Sequence, residues 1–236
     1  MSTDLTIIIP TYNECQNILP VIKAIETALT GNSWQLLFVD DNSPDGTAEL
    51  IEDISKKKNN IKYIKRIGRK GRTSACIEGM VSTSTPYMCI MDADLQHDEK
   101  LLPEMLTTIK QEDYDLVIGS RYVNSGSTGS LPFHRVIISK LAGKFGSLIL
   151  KHKVSDPTSG FFMIRNEFFR MVNPKLSGKG MKGFELTLDI LASADKSLRY
   201  IEIPYTMRDR KEGDSKLDVV VIFEFISLVL YKLLRK

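Results

Sequence analysis

Apolar and polar positions alternate in two rhythms along the first half of the chain. Short continuous apolar runs read as strands at Leu5–Ile9, Trp34–Val39, Ile61–Lys65, Tyr87–Met91 and Asp115–Gly119. Longer amphipathic stretches between them read as helices over Asn17–Leu29, Thr47–Lys57, Thr73–Ser82 and Glu99–Gln111. Strands that are apolar throughout are buried on both faces. Alternation of such strands with helices predicts an α/β fold with a mostly parallel, doubly wound sheet. The second half is less regular. Helices are expected over Arg135–Leu150 and Phe184–Ala194, and a strand over Leu198–Ile203, ended by Pro204. A Gly/Ser-rich loop, Asn124–Ser130, reads as a mobile lid.

The last apolar stretch, Leu217–Leu234, follows a charged loop, Arg208–Lys216. Its length is marginal for a simple span, which needs about 20 apolar residues. On a helical wheel Asp218, Glu224, Ser227, Tyr231, Lys232 and Arg235 gather on one half. Val219, Ile222, Phe223, Ile226, Val229, Leu230, Leu233 and Leu234 gather on the other. That pattern predicts an amphipathic helix in a membrane interface, with Lys232, Arg235 and Lys236 near headgroups. The organisation expected is a catalytic domain over 1–216 and an interface helix over 217–236.

Composition changes this picture little. The 236 residues carry 32 Lys and Arg against 29 Asp and Glu, a net charge of +3. That balance is too mild to argue for nucleic acid as a partner. A mean hydropathy of −0.11 excludes a polytopic membrane protein. Cys15, Cys76 and Cys89 lack paired metal spacing and read as reduced thiols. The N-terminus has no basic segment and only a short apolar run, so it reads as a strand and not a signal peptide. The expected location is the cytoplasmic face of a membrane, held peripherally by the last helix.

Candidate chemistry gathers where the apolar runs end. In open α/β sheets, ligands bind beyond the carboxyl ends of the strands. There the sequence reads Pro10-Thr11-Tyr12-Asn13-Glu14, Asp40-Asp41-Asn42-Ser43-Pro44-Asp45-Gly46 and Asp92-Ala93-Asp94-Leu95-Gln96-His97. Acids crowded at one edge repel, so they need a cation or a donor-rich ligand. Asp92 and Asp94, two apart after a strand, form a hard-oxygen pair suited to Mg2+ or Mn2+ shared with substrate phosphates. Glu14 and Asp41 can accept from base or ribose, and Tyr12 can stack on a base. Ser43 and Asp45 read as a turn and cap for the next helix. Of the three histidines only His97 adjoins this cluster. The absence of a Gly-x-x-x-x-Gly-Lys-Ser/Thr or Gly-x-Gly-x-x-Gly run removes the main support for P-loop and dinucleotide readings. A nucleotidyltransferase would want a Gly-rich basic loop after the first strand, which Pro10–Glu14 is not. A non-catalytic binding module serving a membrane protein is the alternative of another class.

These strand ends resemble the family 2 glycosyltransferases of GT-A fold, most closely the dolichyl- and polyprenyl-phosphate hexosyltransferases. Further matching stretches are Gly119-Ser120-Arg121-Tyr122, Asp156-Pro157-Thr158-Ser159-Gly160-Phe161 and Arg210-Lys211-Glu212-Gly213-Asp214-Ser215-Lys216-Leu217. The resemblance implies that Pro10, Tyr12, Glu14, Val39, Asp41 and Asp92 hold the nucleotide sugar. It implies Asp92, Asp94 and Gln96 as ligands of Mg2+ or Mn2+. Arg121, Arg135 and Ser139 would meet an acceptor phosphate, and Arg210 and Lys216 would close over the phosphates. The implied reaction is an inverting transfer of a hexose, with GDP-mannose favoured and UDP-glucose as the alternative donor, to a polyprenyl or dolichyl phosphate. The acceptor is already an anion near neutral pH, so no strong general base is required. One departure stands out: Gly71-Arg72-Thr73-Ser74-Ala75 replaces the family's Gly-Leu-Gly-x-Ala. A second is length, since many relatives continue into transmembrane helices. The chain is then either a piece that stops before those helices or a form that works with a separate membrane protein.

Overall fold

The structure, a computed structural model, describes residues 3–131, 133–176, 186–209 and 219–234. Seven strands form one sheet: β1 (Leu5–Thr11), β2 (Trp34–Asp40), β3 (Ile61–Lys65), β4 (Tyr87–Ile90), β5 (Leu116–Ser120), β6 (Phe162–Arg165) and β7 (Tyr200–Pro204). Their order is β3-β2-β1-β4-β6-β5-β7. All pairings are parallel except those of β6, which runs antiparallel to both β4 and β5. The carboxyl ends of the six parallel strands therefore open on one edge.

Helices cover both faces: α1 (Cys15–Ala28), α2 (Thr47–Lys57), α3 (Arg72–Val81), α4 (Leu102–Gln111), α5 (Phe133–Gly146), α6 (Asn166–Val172), α7 (Leu186–Ser193) and α8 (Val219–Leu233). The pleat explains the two layers. Leu5, Ile7 and Ile9 point into a core shared with α1, α2 and α4. Ile8, Leu37 and Val39 point into a second core shared with α3, α6 and α7. Gly79 lets α3 lie close on the sheet, because a Cβ there would sit 2.6 Å from Ile8 Cγ2.

Three features differ from the sequence expectations. Strand β6 and helix α6 are additional. Their sequence, FMIRNEFFRMV, is a short apolar run that merges into a helix without a turn signal. The loop Asn124–Ser130 is tied down: Ser127 N donates to Tyr205 O, Met207 N donates to Ser127 O, and Gly129 packs where a Cβ would meet Met207 O. Both of its glycines are there for close packing, Gly126 against Ser120 O and Gly129 against Met207 O, so the lid reading is replaced by a pinned loop.

The third difference concerns α8, which packs on the domain through Phe225, Leu228, Val229 and Lys232. Leu228 and Val229 are buried against Ile149 and Leu188, and the Phe225 ring lies beside Phe145. Lys232 is not directed at headgroups. Its Nζ lies 2.7 Å from Asp189 Oδ1, donates to Ser193 Oγ at 2.7 Å, and donates to the Lys175 carbonyl. Asp189 is fully buried on α7, and a buried carboxylate needs a cation more than a surface does. The stripe Phe223, Ile226, Leu230, Leu233 and Leu234 remains exposed. Among the described residues no helix is long and apolar enough to cross a membrane. Arg235, Lys236 and Asp218 lie outside the described residues. Lys232→Met is expected to free α8 locally. Its backbone amides should exchange with solvent roughly a hundredfold faster, while those of β1 and β4 keep their rates. Unchanged protection in α8 would show that Leu228 and Val229 hold it without the ion pair.

Candidate active site

The first two strand ends are bound to each other. Pro10 on β1 sits opposite Val39 on β2, and Thr11 opposite Asp40. Thr11 Oγ1 donates to Asp40 Oδ2, which also takes the Ser43 hydroxyl at 2.6 Å. Across the gap, Asn13 N donates to Ser43 Oγ, Glu14 N to Thr47 Oγ1 and Cys15 N to Asp45 Oδ2. Asp45 thereby satisfies an amide at the start of α1 while its other oxygen takes Thr47 N and Oγ1 at the start of α2. Burial raises the Asp45 carboxyl, but these hydrogen bonds outweigh it and hold the pKa below the usual carboxylate value. Ser43 and Asp45 are thus framework. Asn13, Asn42 and Leu95 each take positive φ, one in each loop after β1, β2 and β4. Backbone strain of this kind is retained where surrounding contacts over-determine it.

Tyr12 and Glu14 project at this edge. The Lys70 ammonium lies 4.4 Å from the centre of the Tyr12 ring and donates to its hydroxyl. Glu14 accepts from Asn17 Nδ2 at 2.8 Å. Asp41 is buried, with one oxygen taking Arg66 Nη1 at 2.5 Å and the other taking Gly71 N at 2.6 Å. Burial pushes its pKa up, only partly offset by the Gly71 amide and Arg66. Arg66 is itself almost wholly buried and also donates to Gly71 O and Ser74 Oγ. Its Nε lies 3.1 Å from Glu78 Oε2 without the alignment of a hydrogen bond. Asp41 and Arg66 therefore fix the loop that enters α3.

The acidic pair follows β4. Asp94 is buried and accepts Gln96 N at 3.1 Å through Oδ1. Asp92 takes Arg72 Nε at 2.8 Å, and Arg72 Nη2 reaches the Gly160 carbonyl. His97 accepts Asp92 N on Nδ1 and stacks on Phe161 with ring centres 5.0 Å apart. Its Nε2 lies 3.8 Å from Asp92 Oδ2. Burial lowers the His97 pKa to about 4, against the opposing pull of Asp92. His97 is therefore held as the neutral imidazole, a brace for the turn. Gln96 Nε2 donates to Arg208 O, Arg208 N donates to Gln96 O, and the Arg208 guanidinium pairs with Asp98 and Glu99. The segment leading to Arg210 is thus anchored beside the acidic turn. Arg210 and Lys216 lie outside the described residues.

At the end of β5, Arg121 forms a two-pronged pair with Asp156, Nε to Oδ2 and Nη2 to Oδ1, both at 2.7 Å. Arg121 N donates to Asp156 Oδ2 as well. Burial opposes the guanidinium charge, but Asp156 more than compensates and raises its pKa. Asp156 N and Ser155 N in turn donate to Glu202. Ser139 on α5 meets the Tyr122 hydroxyl at 2.9 Å. Arg135 falls on the same helix, with its side chain outside the described part. The structure thus brings Tyr12, Glu14, Asp41, Asp92, Asp94, Gln96 and Arg121 to one edge of the sheet, at the carboxyl ends of β1, β2, β4 and β5. The sequence reading assigned no role to Arg66, Arg72 or the Asp156 carboxylate. The available signal was four cations among residues 66–72 in a chain of nearly balanced charge.

A parallel sheet with one reversed strand and acids at its carboxyl edge defines the GT-A architecture. The match described as Glycosyl transferase family 2 covers residues 6–172, and the chain belongs to that family. A protein of Pyrococcus furiosus named dolichol-phosphate mannosyltransferase is 37% identical over 98% of this chain. The chain spans 64% of that relative's length. The Saccharomyces cerevisiae protein of the same name is 30% identical over 96% of this chain and 86% of its own. Among solved structures, the glucosyl-3-phosphoglycerate synthase of Mycobacterium tuberculosis with UDP superposes with a TM-score of 0.66 at 18% identity, covering 98% of this chain and 80% of that one. The same enzyme with Mg2+ and UDP gives 0.65 at 18% identity, covering 99% and 79%. That likeness is one of fold.

Proposed function

We propose that this chain transfers a hexose, with inversion, from a nucleoside diphosphate sugar to a polyprenyl or dolichyl phosphate, and that GDP-mannose is the donor. The observation that carries the reading is the near-full-chain match to the dolichol-phosphate mannosyltransferases, at 30% and 37% identity. The residues at the sheet edge are chemically suited to it. Tyr12, Glu14 and Asp41, beside Pro10 and Val39, form the end that receives the nucleotide. Asp92, Asp94 and Gln96 offer hard oxygen donors, a set that fits Mg2+ or Mn2+. They would hold a cation whose role is to neutralise charge on the diphosphate leaving group. Among the described residues no cluster of three acidic, histidine or cysteine side chains encloses a metal. Two carboxylates and an amide would leave coordination positions for phosphate oxygens.

The acceptor side needs cations more than a base. Arg121 is held rigid by Asp156 with its fork fixed, and Ser139 lies on α5 near Tyr122. With Arg135, Arg210 and Lys216 they would receive the lipid phosphate. A phosphate oxygen attacks the anomeric carbon as the diphosphate departs, so His97 can remain neutral. Exposed Phe133, Ile137 and Leu141 follow one stripe of α5, and Phe223, Ile226, Leu230 and Leu233 follow one of α8. Two apolar stripes joined at Phe145 and Phe225 favour peripheral seating on a membrane, where the acceptor resides.

The test is a panel of radiolabelled nucleotide sugars incubated with polyprenyl phosphate, with and without Mn2+. Mannose from GDP-mannose should enter the lipid phase only with metal. Label from UDP-glucose alone would move the donor assignment. No transfer from any donor would favour a binding module that serves a membrane protein.

A further inference from the structure

Arg72 occupies a place that the acid cluster alone would not predict. It opens α3, thirty-one residues beyond Asp41, and its guanidinium crosses to the acidic turn after β4. Nε and Nη2 both lie 2.8 Å from Asp92 Oδ1. Nη2 also donates to Gly160 O. Room for this contact comes from Gly160, where a Cβ would lie 2.7 Å from Nη2. The guanidinium is mostly shielded from solvent, and Asp92 more than offsets the cost of burying it, so its proton is held firmly. A fixed cation thus already satisfies one of the two carboxylates proposed for metal.

We propose that Arg72 is a built-in counter-ion of Asp92 that competes with the divalent cation, so that the protein without donor binds metal weakly. The proposal rests on the metal role given above to Asp92 and Asp94. A divalent ion and a guanidinium sharing one carboxylate repel each other at short range in a shielded site. The guanidinium must therefore turn from Asp92 before that oxygen can serve a metal. Diphosphate oxygens are the natural new partner, because they are anionic and match the fork of Arg. Arg72 is on this view a positioning residue that couples metal entry to arrival of the nucleotide sugar.

The test is Mn2+ titration of the full chain followed by electron paramagnetic resonance, without donor. Arg72→Leu should bind Mn2+ tighter by about tenfold or more, whereas Arg72→Lys, which keeps the charge, should stay near the parent protein. Gly160→Ala, which displaces the guanidinium without removing it, should shift affinity in the same direction as Arg72→Leu. It also stands in if Arg72→Leu does not fold. Equal Mn2+ affinity in Arg72→Leu, Gly160→Ala and the parent, with binding lost in Asp94→Asn, would overturn the counter-ion role and leave the metal reading intact. Absence of saturable Mn2+ binding in every variant would overturn both.

Discussion

Asp94→Asn is expected to lower sugar transfer by a hundredfold to a thousandfold, roughly, while leaving the melting temperature nearly unchanged. Asparagine keeps the shape and the oxygen that accepts Gln96 N, so the turn after β4 stays in place. What is lost is a negative charge in a shielded position. Electrostatic stabilisation of a departing diphosphate contributes several kcal/mol, and each 1.4 kcal/mol is about tenfold in rate. Initial rates across a Mn2+ series, with circular dichroism on the same samples, provide the check. Full activity at saturating Mn2+ would remove Asp94 from the metal site.

Asp156→Ala should act on stability. Asp156 is fully buried and takes three hydrogen bonds from Arg121. Its removal strands a shielded guanidinium, at a cost of about 3–5 kcal/mol. For a domain of this size that corresponds to a fall of roughly 10 °C in melting temperature. Calorimetry can measure it, and a fall below about 2 °C would show that water reaches Arg121 freely. Arg121→Gln added to Asp156→Ala should recover part of the loss, since it removes the stranded charge. Recovery should be incomplete, because Arg121 N still lacks the Asp156 oxygen.

The first half of the chain was legible because strands buried on both faces announce themselves as apolar runs. Helix α3 is expected at Thr73–Ser82 and lies at Arg72–Val81. Strand β6 was not legible: Phe161-Phe162-Met163-Ile164 reads equally as helix core, and periodicity cannot separate the two over four residues. The acids were legible for the same reason the strands were, since each lies where an apolar run stops. Their partners were not. Asp41 meets Arg66 across 25 positions, Asp92 meets Arg72 across 20, and Arg121 meets Asp156 across 35. Those pairings are set by strand order and by helix entry, neither of which leaves a local pattern. Lys232 was misread for a related cause: a helical wheel ranks faces by polarity, but a buried Asp189 on another helix decides which face turns inward.

The reversal of β6 has a consequence of its own. Strands β1–β4 present their loops by ending at the edge, whereas β6 presents Asp156–Phe161 by beginning there. The reversal leaves an antiparallel seam on each side of β6, four residue pairs from Tyr87↔Arg165 to Ile90↔Phe162 with β4 and three from Leu116↔Ile164 to Ile118↔Phe162 with β5. Arg72 stitches the seam with β4 at the rim, reaching from Asp92 just after β4 to Gly160 just before β6.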